Sequence, residues 1–297
     1  MKNQNTTAKR DLFAEVTDRI ITALESGIIP WHKPWIGVTD CAISYATGKP
    51  YSLLNQILLE EPGEYITFNA CRKAGGHVKK GAKAKMVVFW KMVPVKDTDK
   101  DGNVKLTADG LPMVKSVPIL KYDQVFNLKD CEGVEPRNPE QELTEIEPIE
   151  AAEATLTDYV TRSGVTLIHE KQNRAFYRPS ADMICLPLRE QFEDPAEYYA
   201  TAFHEATHST GHPSRLNRLM TTGATAAFGG EDYSKEELVA EIGSATIMNR
   251  LGIETSGTFQ NSAAYIQGWL KALRNDKKLI VSAAGKAEKA VALIFGD

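Results

Sequence analysis

One twelve-residue stretch, residues 201–212, constrains the fold of this chain most, because it holds three of the six histidines. Within it, His204, Glu205 and His208 form an H-E-x-x-H pattern. On a helix, residues four apart lie on one face, so both imidazoles can reach one metal ion. Glu205 is then placed as the general base that takes a proton from a metal-bound water. The alternative is a surface helix that carries these residues without a metal.

A third protein ligand has to come from elsewhere, because a catalytic zinc ion usually has three protein ligands and one water. In one class of site a further histidine follows in the pattern H-x-x-G-x-x-H. Here Gly211 fits that pattern but Ser214 occupies the last position, which excludes this class. Glu237 and Glu241 share a helix face and begin 29 residues after His208. We predict that Glu237 is the third ligand and that Glu241 supports an imidazole N–H.

Two neighbours of this acidic pair are weaker candidates. Glu236 points about 100° away from Glu237 around a helix, so it is the poorer ligand. Tyr233 is placed either to donate a hydrogen bond to a developing oxyanion or simply to pack. The predicted ligand set suits Zn²⁺, and another divalent metal would also fit these donors.

The charge of the chain is distributed unevenly. Residues 1–130 carry 19 Lys and Arg against 14 Asp and Glu, whereas residues 131–160 carry one against nine and residues 161–297 are nearly neutral. No apolar run approaches the roughly 18–20 residues that span a bilayer, so we expect no membrane partner. The four cysteines form no C-x-x-C pair, and the polar N-terminus shows no secretion signal. These features predict free thiols and a cytoplasmic protein.

The order of predicted elements indicates an α+β fold with two domains. Residues 1–130 predict a small α+β domain with a basic, turn-rich segment. Residues 131–150 are rich in Glu and Pro and predict an exposed acidic linker. Residues 151–297 predict a small sheet with a β-hairpin, then the metal-motif helix and further helices. This second arrangement is typical of zincin metallopeptidases.

The basic segment of the first domain predicts a nucleic-acid surface. Between Tyr65 and Lys96 the chain has no Asp or Glu. Basic side chains interleaved with aromatic rings suit a groove that contacts phosphates while the rings stack on bases. The alternative is a solvated lysine face. The predicted DNA-binding residues of this segment are Arg72, Lys73, Lys79, Lys80, Lys83, Lys85 and Trp90.

Two further aromatic residues, Trp31 and Trp35, lie in a stretch where two prolines prevent a regular helix. Exposed rings in an irregular loop would stack on bases, so we add both to the predicted DNA-binding residues. The alternative for either ring is packing in a small core.

Motifs in both halves resemble the ArdC family of antirestriction proteins. Residues 10–130 resemble the ArdC N-terminal single-stranded-DNA-binding domain, and residues 150–297 resemble the zincin-like peptidase domain that accompanies it. One departure is the segment 51–55, where the family usually has a glycine soon after the tyrosine. The matching segments are 16–20, 27–35, 48–51 and 125–127 in the first half, and 204–208, 210–212, 215–218 and 236–241 in the second.

The resemblance implies a protein that binds single-stranded DNA and protects incoming conjugative plasmid DNA from host restriction. It also implies a zinc metallopeptidase centre built on His204, His208 and an acid of the later helix, with an unknown substrate. A restriction–modification enzyme or another host protein is a further candidate partner. Two alternatives remain open: a DNA-binding protein whose metal site is structural or vestigial, and a general cytoplasmic metallopeptidase.

Overall fold

The computed structural model describes residues 10–32, 41–107, 109–137, 148–192, 194–219, 231–253 and 259–297. It confirms the α+β class predicted from the sequence. The helices are α1 (Leu12–Glu25), α2 (Leu53–Leu59), α3 (Phe68–Lys73), α4 (Pro148–Ser163), α5 (Pro195–Ser209), α6 (Glu231–Arg250), α7 (Phe259–Asn275) and α8 (Leu279–Phe295). The strands are β1 (Ala42–Ser44), β2 (Gly63–Thr67), β3 (His77–Val78), β4 (Lys85–Lys96), β5 (Val114–Asn127), β6 (Cys131–Glu132), β7 (Thr166–Glu170), β8 (Phe176–Arg178) and β9 (Met183–Pro187).

The chain forms two compact units whose limits are not those of the sequence halves. One unit combines residues 1–12 with residues 66–134, and the other combines residues 13–65 with residues 135–297. The division of the sequence into residues 1–130, an acidic linker and residues 151–297 stays a prediction. Half of that linker, residues 138–147, lies outside the described residues.

The smaller unit is built on a long antiparallel hairpin of β4 and β5. Its register pairs Lys85 with Val125 at one end and Lys96 with Val114 at the other. Only the first part of β4 is buried on both faces, over residues 86–88. The following residues are mostly exposed, so the hairpin continues as a two-stranded ribbon in contact with solvent.

The core of the larger unit lies between a three-stranded sheet and helices α4, α5, α6 and α8. The sheet has the order β7-β9-β8, with β7 parallel and β8 antiparallel to β9. The central strand is the most buried, and Ile184 and Leu186 are fully enclosed. On the helical side, Phe203 of α5 and Ile247 of α6 join the same apolar cluster. The predicted β8–β9 hairpin is therefore present and packs against the metal-motif helix.

The N-terminal segment 13–65 contributes to this larger unit. The Thr17 hydroxyl donates a hydrogen bond of 2.7 Å to the Lys277 carbonyl. Trp31 is 0% exposed and packs edge-on against Trp269, with ring centroids 5.4 Å apart. The Asn249 side-chain amide of α6 donates to the Trp31 carbonyl at 3.3 Å.

The assignment of Trp31 to DNA binding is therefore wrong. A ring without exposed surface cannot stack on a base, and the packing alternative holds for this residue. Trp35 lies outside the described residues, so its assignment stays a prediction.

Within the described ranges, no helix is long and apolar enough to cross a membrane. Cys41, Cys71, Cys131 and Cys185 are free thiols, as the spacing predicted.

Helices α5 and α6 approach closely because α6 has a glycine where they meet. A Cβ added to Gly243 would lie 2.7 Å from Cγ2 and 2.9 Å from Oγ1 of Thr207. Thr207 is fully buried, and its hydroxyl donates to the Phe203 carbonyl at 2.7 Å. Its β-branched side chain has little freedom to move aside. The glycine therefore sets the spacing of the two helices that carry the metal motif and the acidic pair.

We predict that Gly243→Ala destabilises the protein by about 1–3 kcal/mol, because the added methyl group overpacks this contact. Gly285→Ala on α8 is the matched control, since its Cβ would meet nothing within 4 Å. Alanine in that exposed helical position should stabilise by about 0.5–1 kcal/mol. Urea unfolding of the three proteins measures both effects, and equal stability of the two variants would contradict the packing argument.

Candidate metal centre

The two histidines of the H-E-x-x-H pattern lie side by side on one face of α5. Asp194 begins the helix, because its carboxylate accepts the Ala196 N–H at 2.8 Å, and the chain leaves the helix through the turn at Gly211. Helical spacing brings the Nε2 atoms of His204 and His208 to 3.1 Å from each other. Both nitrogens therefore face the same point, as the spacing predicted.

Glu237 of α6 reaches the same point from the opposite side. Its Oε2 lies 3.3 Å from Nε2 of His204, and its Oε1 lies 3.3 Å from Nε2 of His208. The donor atoms of these three side chains all lie within 4.8 Å of one another. The structure thus brings together all three predicted ligands.

A second carboxylate stands behind each imidazole. Oε2 of Glu241 lies 3.6 Å from Nδ1 of His204, where the sequence predicted a supporting acid. Oε1 of Glu236 lies 3.4 Å from Nδ1 of His208. Glu236 is turned away from the shared point, as its helical position predicted, but sequence reasoning missed this contact. The only signal in the sequence is its place directly before Glu237, which directs it towards the second imidazole.

The carboxylates around the two imidazoles favour the protonated forms of the rings. Burial opposes protonation, but hydrogen bonds with Glu237 and Glu241 outweigh it and hold the pKa of His204 well above its ordinary value. Burial also lowers the pKa of His208, but contacts with Glu236 and Glu237 outweigh it and raise the pKa to about 9. Burial would raise the pKa of Glu237, but the two imidazoles hold it well below its ordinary value.

The donor set fits a divalent metal ion. Two imidazole nitrogens and one carboxylate are the ligands of a common class of catalytic zinc site, which leaves a position for water. The carboxylates behind the imidazoles are the partners that fix ligand orientation in such sites. His204, His208 and Glu237 would hold the ion, because their donor atoms lie close together and converge on one point.

Glu205 is 8% exposed and follows His204 directly on α5. Its position beside the first ligand is the one that the motif requires of a general base. The side chain of Tyr233 lies outside the described residues, so its role stays a prediction.

The third histidine of the stretch, His212, lies apart from the three donors. Its Nδ1 is 2.7 Å from Oγ of Ser214 and 4.0 Å from Oδ2 of Asp182. Asp182 in turn pairs with Arg215, which donates to the Ser209 carbonyl at 2.9 Å. His212 thus belongs to the polar network that fixes the turn after α5.

The predicted DNA-binding residues lie mostly on the surface of the smaller unit. Arg72 and Lys73 form the last turn of α3. Lys79, Lys80 and Lys83 lie between β3 and β4, and Lys85 is the first residue of β4. Trp90 is 55% exposed on the ribbon. Lys79, Lys80 and Lys83 are exposed and Lys85 is half-buried. Phe68 and Phe89 are exposed as well, so three large rings are accessible near the basic residues in sequence.

Comparison with known proteins assigns both parts of the sequence. Residues 154–286 match the family described as zincin-like metallopeptidase, and residues 10–126 match the N-terminal domain of anti-restriction factor ArdC. The metal-free crystal structure of antirestriction ArdC protein from plasmid R388 is 32% identical and superposes with a TM-score of 0.73. The match covers 96% of this chain and 97% of that chain. The chain belongs to the ArdC-type antirestriction family. The resemblance drawn from the motifs is confirmed.

Similar sequences occur in proteins of different lengths. The DNA primase TraC of Escherichia coli is 37% identical over 300 residues, which are 97% of this chain and 20% of TraC. A second TraC is 36% identical, and there the match spans 27% of the protein. The uncharacterized protein y4eC of Sinorhizobium fredii is 31% identical over 94% of this chain and 90% of its own length. The chain therefore spans only a minor part of the TraC primases.

A structure of the R388 ArdC protein with bound Mn(II) also matches, with a TM-score of 0.71 and the same 32% identity. That protein therefore exists in both metal-free and metal-bound forms. Together with the three converging donors of this chain, this supports a divalent metal as the cofactor.

We predict that Glu237→Gln weakens metal binding by more than about tenfold, because losing even an outer partner of a ligand costs about 10–100-fold. His212→Ala is the matched control, since that imidazole lies outside the donor group, and it should bind metal as the wild type does. Competition with a chromophoric chelator measures both affinities for Zn²⁺ and Mn²⁺. A Glu237→Gln variant with unchanged affinity would remove Glu237 from the ligand set.

Proposed function

We propose that this chain is an antirestriction protein that binds single-stranded DNA and carries a zinc-dependent, peptidase-like centre. The observation that carries the proposal is the convergence of His204, His208 and Glu237 in a chain that matches the antirestriction ArdC protein along almost its whole length. The biological role is the protection of incoming plasmid DNA from host restriction. A restriction–modification enzyme or another host protein is the candidate protein partner.

The residues of the centre divide the work of peptide hydrolysis between them. His204, His208 and Glu237 hold the metal, and Glu236 and Glu241 support the imidazoles from behind. A bound divalent ion would polarise a peptide carbonyl and make a water molecule more acidic. Glu205 takes the proton from the attacking water and delivers it to the leaving amine. Its low exposure keeps the carboxylate in a site of reduced dielectric, where its charge acts strongly.

The smaller unit supplies the DNA contacts in this proposal. The run of residues 66–96 without an acid combines exposed lysines with the exposed rings of Phe89 and Trp90. Lysines that follow the backbone and rings that stack on bases bind single strands with little sequence preference. Such binding suits a protein that has to act on any incoming strand.

We expect a variant with Lys79, Lys80, Lys83 and Lys85 changed to Gln to bind a single-stranded oligonucleotide at least about tenfold more weakly at low salt. Each lost phosphate contact should make the slope of log affinity against log salt less negative by about 0.7. The matched control changes four lysines of the larger unit, Lys271, Lys277, Lys286 and Lys289, and should keep the wild-type slope. Fluorescence anisotropy over a salt series gives these slopes, and equal slopes for the two variants would refute the assignment of the basic surface.

The role of hydrolysis can be separated from that of the metal by Glu205→Gln. This change removes the general base, keeps the shape of a mostly buried side chain and leaves the three metal donors in place, so metal binding should persist while peptide hydrolysis is lost. The measurement is survival of incoming plasmid DNA in a restricting host, beside metal affinity. Loss of protection supports hydrolysis as the mechanism. Full protection by this variant means that DNA coating, with a structural metal site, is the mechanism instead.

A further inference from the structure

A buried ion pair stands directly behind His208. Nε of Arg218 lies 3.0 Å from Oε1 and 3.1 Å from Oε2 of Glu236, and one terminal nitrogen lies 2.9 Å from Oε1. The exposed fractions of the two side chains are 6% and 9%. Both oxygens of Glu236 are thus held by one guanidinium group.

Arg218 is fixed on its other side by the end of α5. One terminal nitrogen donates to Oγ1 of Thr210 at 2.6 Å, and the other donates to the carbonyl of Thr207. That carbonyl is among the last of the helix, where intrahelical donors are lacking. Arg218 therefore ties the helix that carries the histidines to the helix that carries the acids.

The orientation of Glu236 determines what His208 can do. A carboxylate can only accept hydrogen bonds, so Glu236 favours the neutral tautomer of His208 that carries its proton on Nδ1. Nε2 is then left with the lone pair that a metal ligand needs, and it points at Glu237. The tautomer and the ring orientation of His208 both follow from the place of Glu236.

We propose that Arg218 and Glu236 act as one positioning unit for the metal centre, with Arg218 holding Glu236 and Glu236 holding His208. The inference deepens the proposed function and rests on its metal-binding part. Glu241 supports His204 from behind in the same manner, so each imidazole has its own carboxylate. At Glu236, the guanidinium group of Arg218 holds both carboxylate oxygens in place behind His208.

The chain provides a matched control three residues before Arg218. Arg215 is also 6% exposed, pairs with the carboxylate of Asp182, and donates to the carbonyl of Ser209 at the end of α5. It makes the same kinds of contact as Arg218, but its carboxylate partner does not face a metal ligand. Any loss caused only by a weakened turn after α5 should therefore appear in Arg215→Met as well.

The test compares the metal affinities of the wild type, Glu236→Ala, Glu236→Gln, Arg218→Met, Arg215→Met and the double variant Arg218→Met/Glu236→Ala. Zn²⁺ and Mn²⁺ are the probes, in competition with a chelator, and thermal melts of each metal-free variant report its folding. A second readout is the ¹H–¹⁵N spectrum of the histidine side chains in the zinc-loaded protein, which reports the protonated nitrogen of His208.

The proposal predicts that Glu236→Ala weakens binding by about 10–100-fold and that Glu236→Gln, which keeps an oxygen acceptor, loses less. Arg218→Met should lower the affinity while Arg215→Met keeps it. The double variant should bind about as weakly as Glu236→Ala alone, because the two residues act through one contact. The Nδ1–H signal of His208 should be absent or shifted in Glu236→Ala.

Three results would overturn the inference: wild-type affinity in Glu236→Ala, equal losses in Arg218→Met and Arg215→Met, or additive losses in the double variant. If Arg218→Met fails to fold, the two Glu236 variants and the histidine spectrum still test whether Glu236 positions His208. A wild type that binds neither ion would instead refute the metal-binding part of the proposed function, and the inference with it.

Discussion

The contact between Thr207 and Gly243 is the constraint on which the metal centre depends. Helix α5 carries both imidazoles and helix α6 carries the acids, so the separation of the two helices decides whether the donors meet. The missing side chain at Gly243 lets α6 lie directly against Thr207. Glu237 then contacts both Nε2 atoms at 3.3 Å. Metal ligation needs distances held within a few tenths of an ångström, which a rigid, close-packed helix pair provides.

The grouping of the three candidate metal donors could be predicted in part, because helical periodicity fixes which side chains share a face. Four-residue spacing puts His204 beside His208, and the same spacing aligns Glu237 with Glu241 on a second helix. The sequence left open which imidazole the supporting acid would face, since that depends on how the two helices pack. Glu236 faces Nδ1 of His208 and not the point shared by the three donors, and its partner Arg218 lies in an irregular segment without a periodic signal.

Trp31 shows what could not be predicted from the sequence. Its surroundings in sequence, with prolines on both sides, are typical of an exposed loop, yet its ring packs against Trp269. A contact between residues so far apart in sequence leaves no local pattern, and an aromatic ring suits a core as well as a base. The strands β8 and β9, whose pairing is local, followed the alternation of the sequence.

Residues 13–65 and the metal centre belong to one compact unit. This limits how the two halves of such proteins can be exchanged by recombination. The two matching sequence families divide this chain between residues 126 and 154, as if two modules had been joined there. The core, however, is completed by Trp31 and by the contact of Thr17 with the Lys277 carbonyl. Recombination at the family boundary would therefore leave the peptidase-like half with an open hydrophobic surface. Recombination between relatives would preserve the metal centre only when the segments that match the two families are exchanged together.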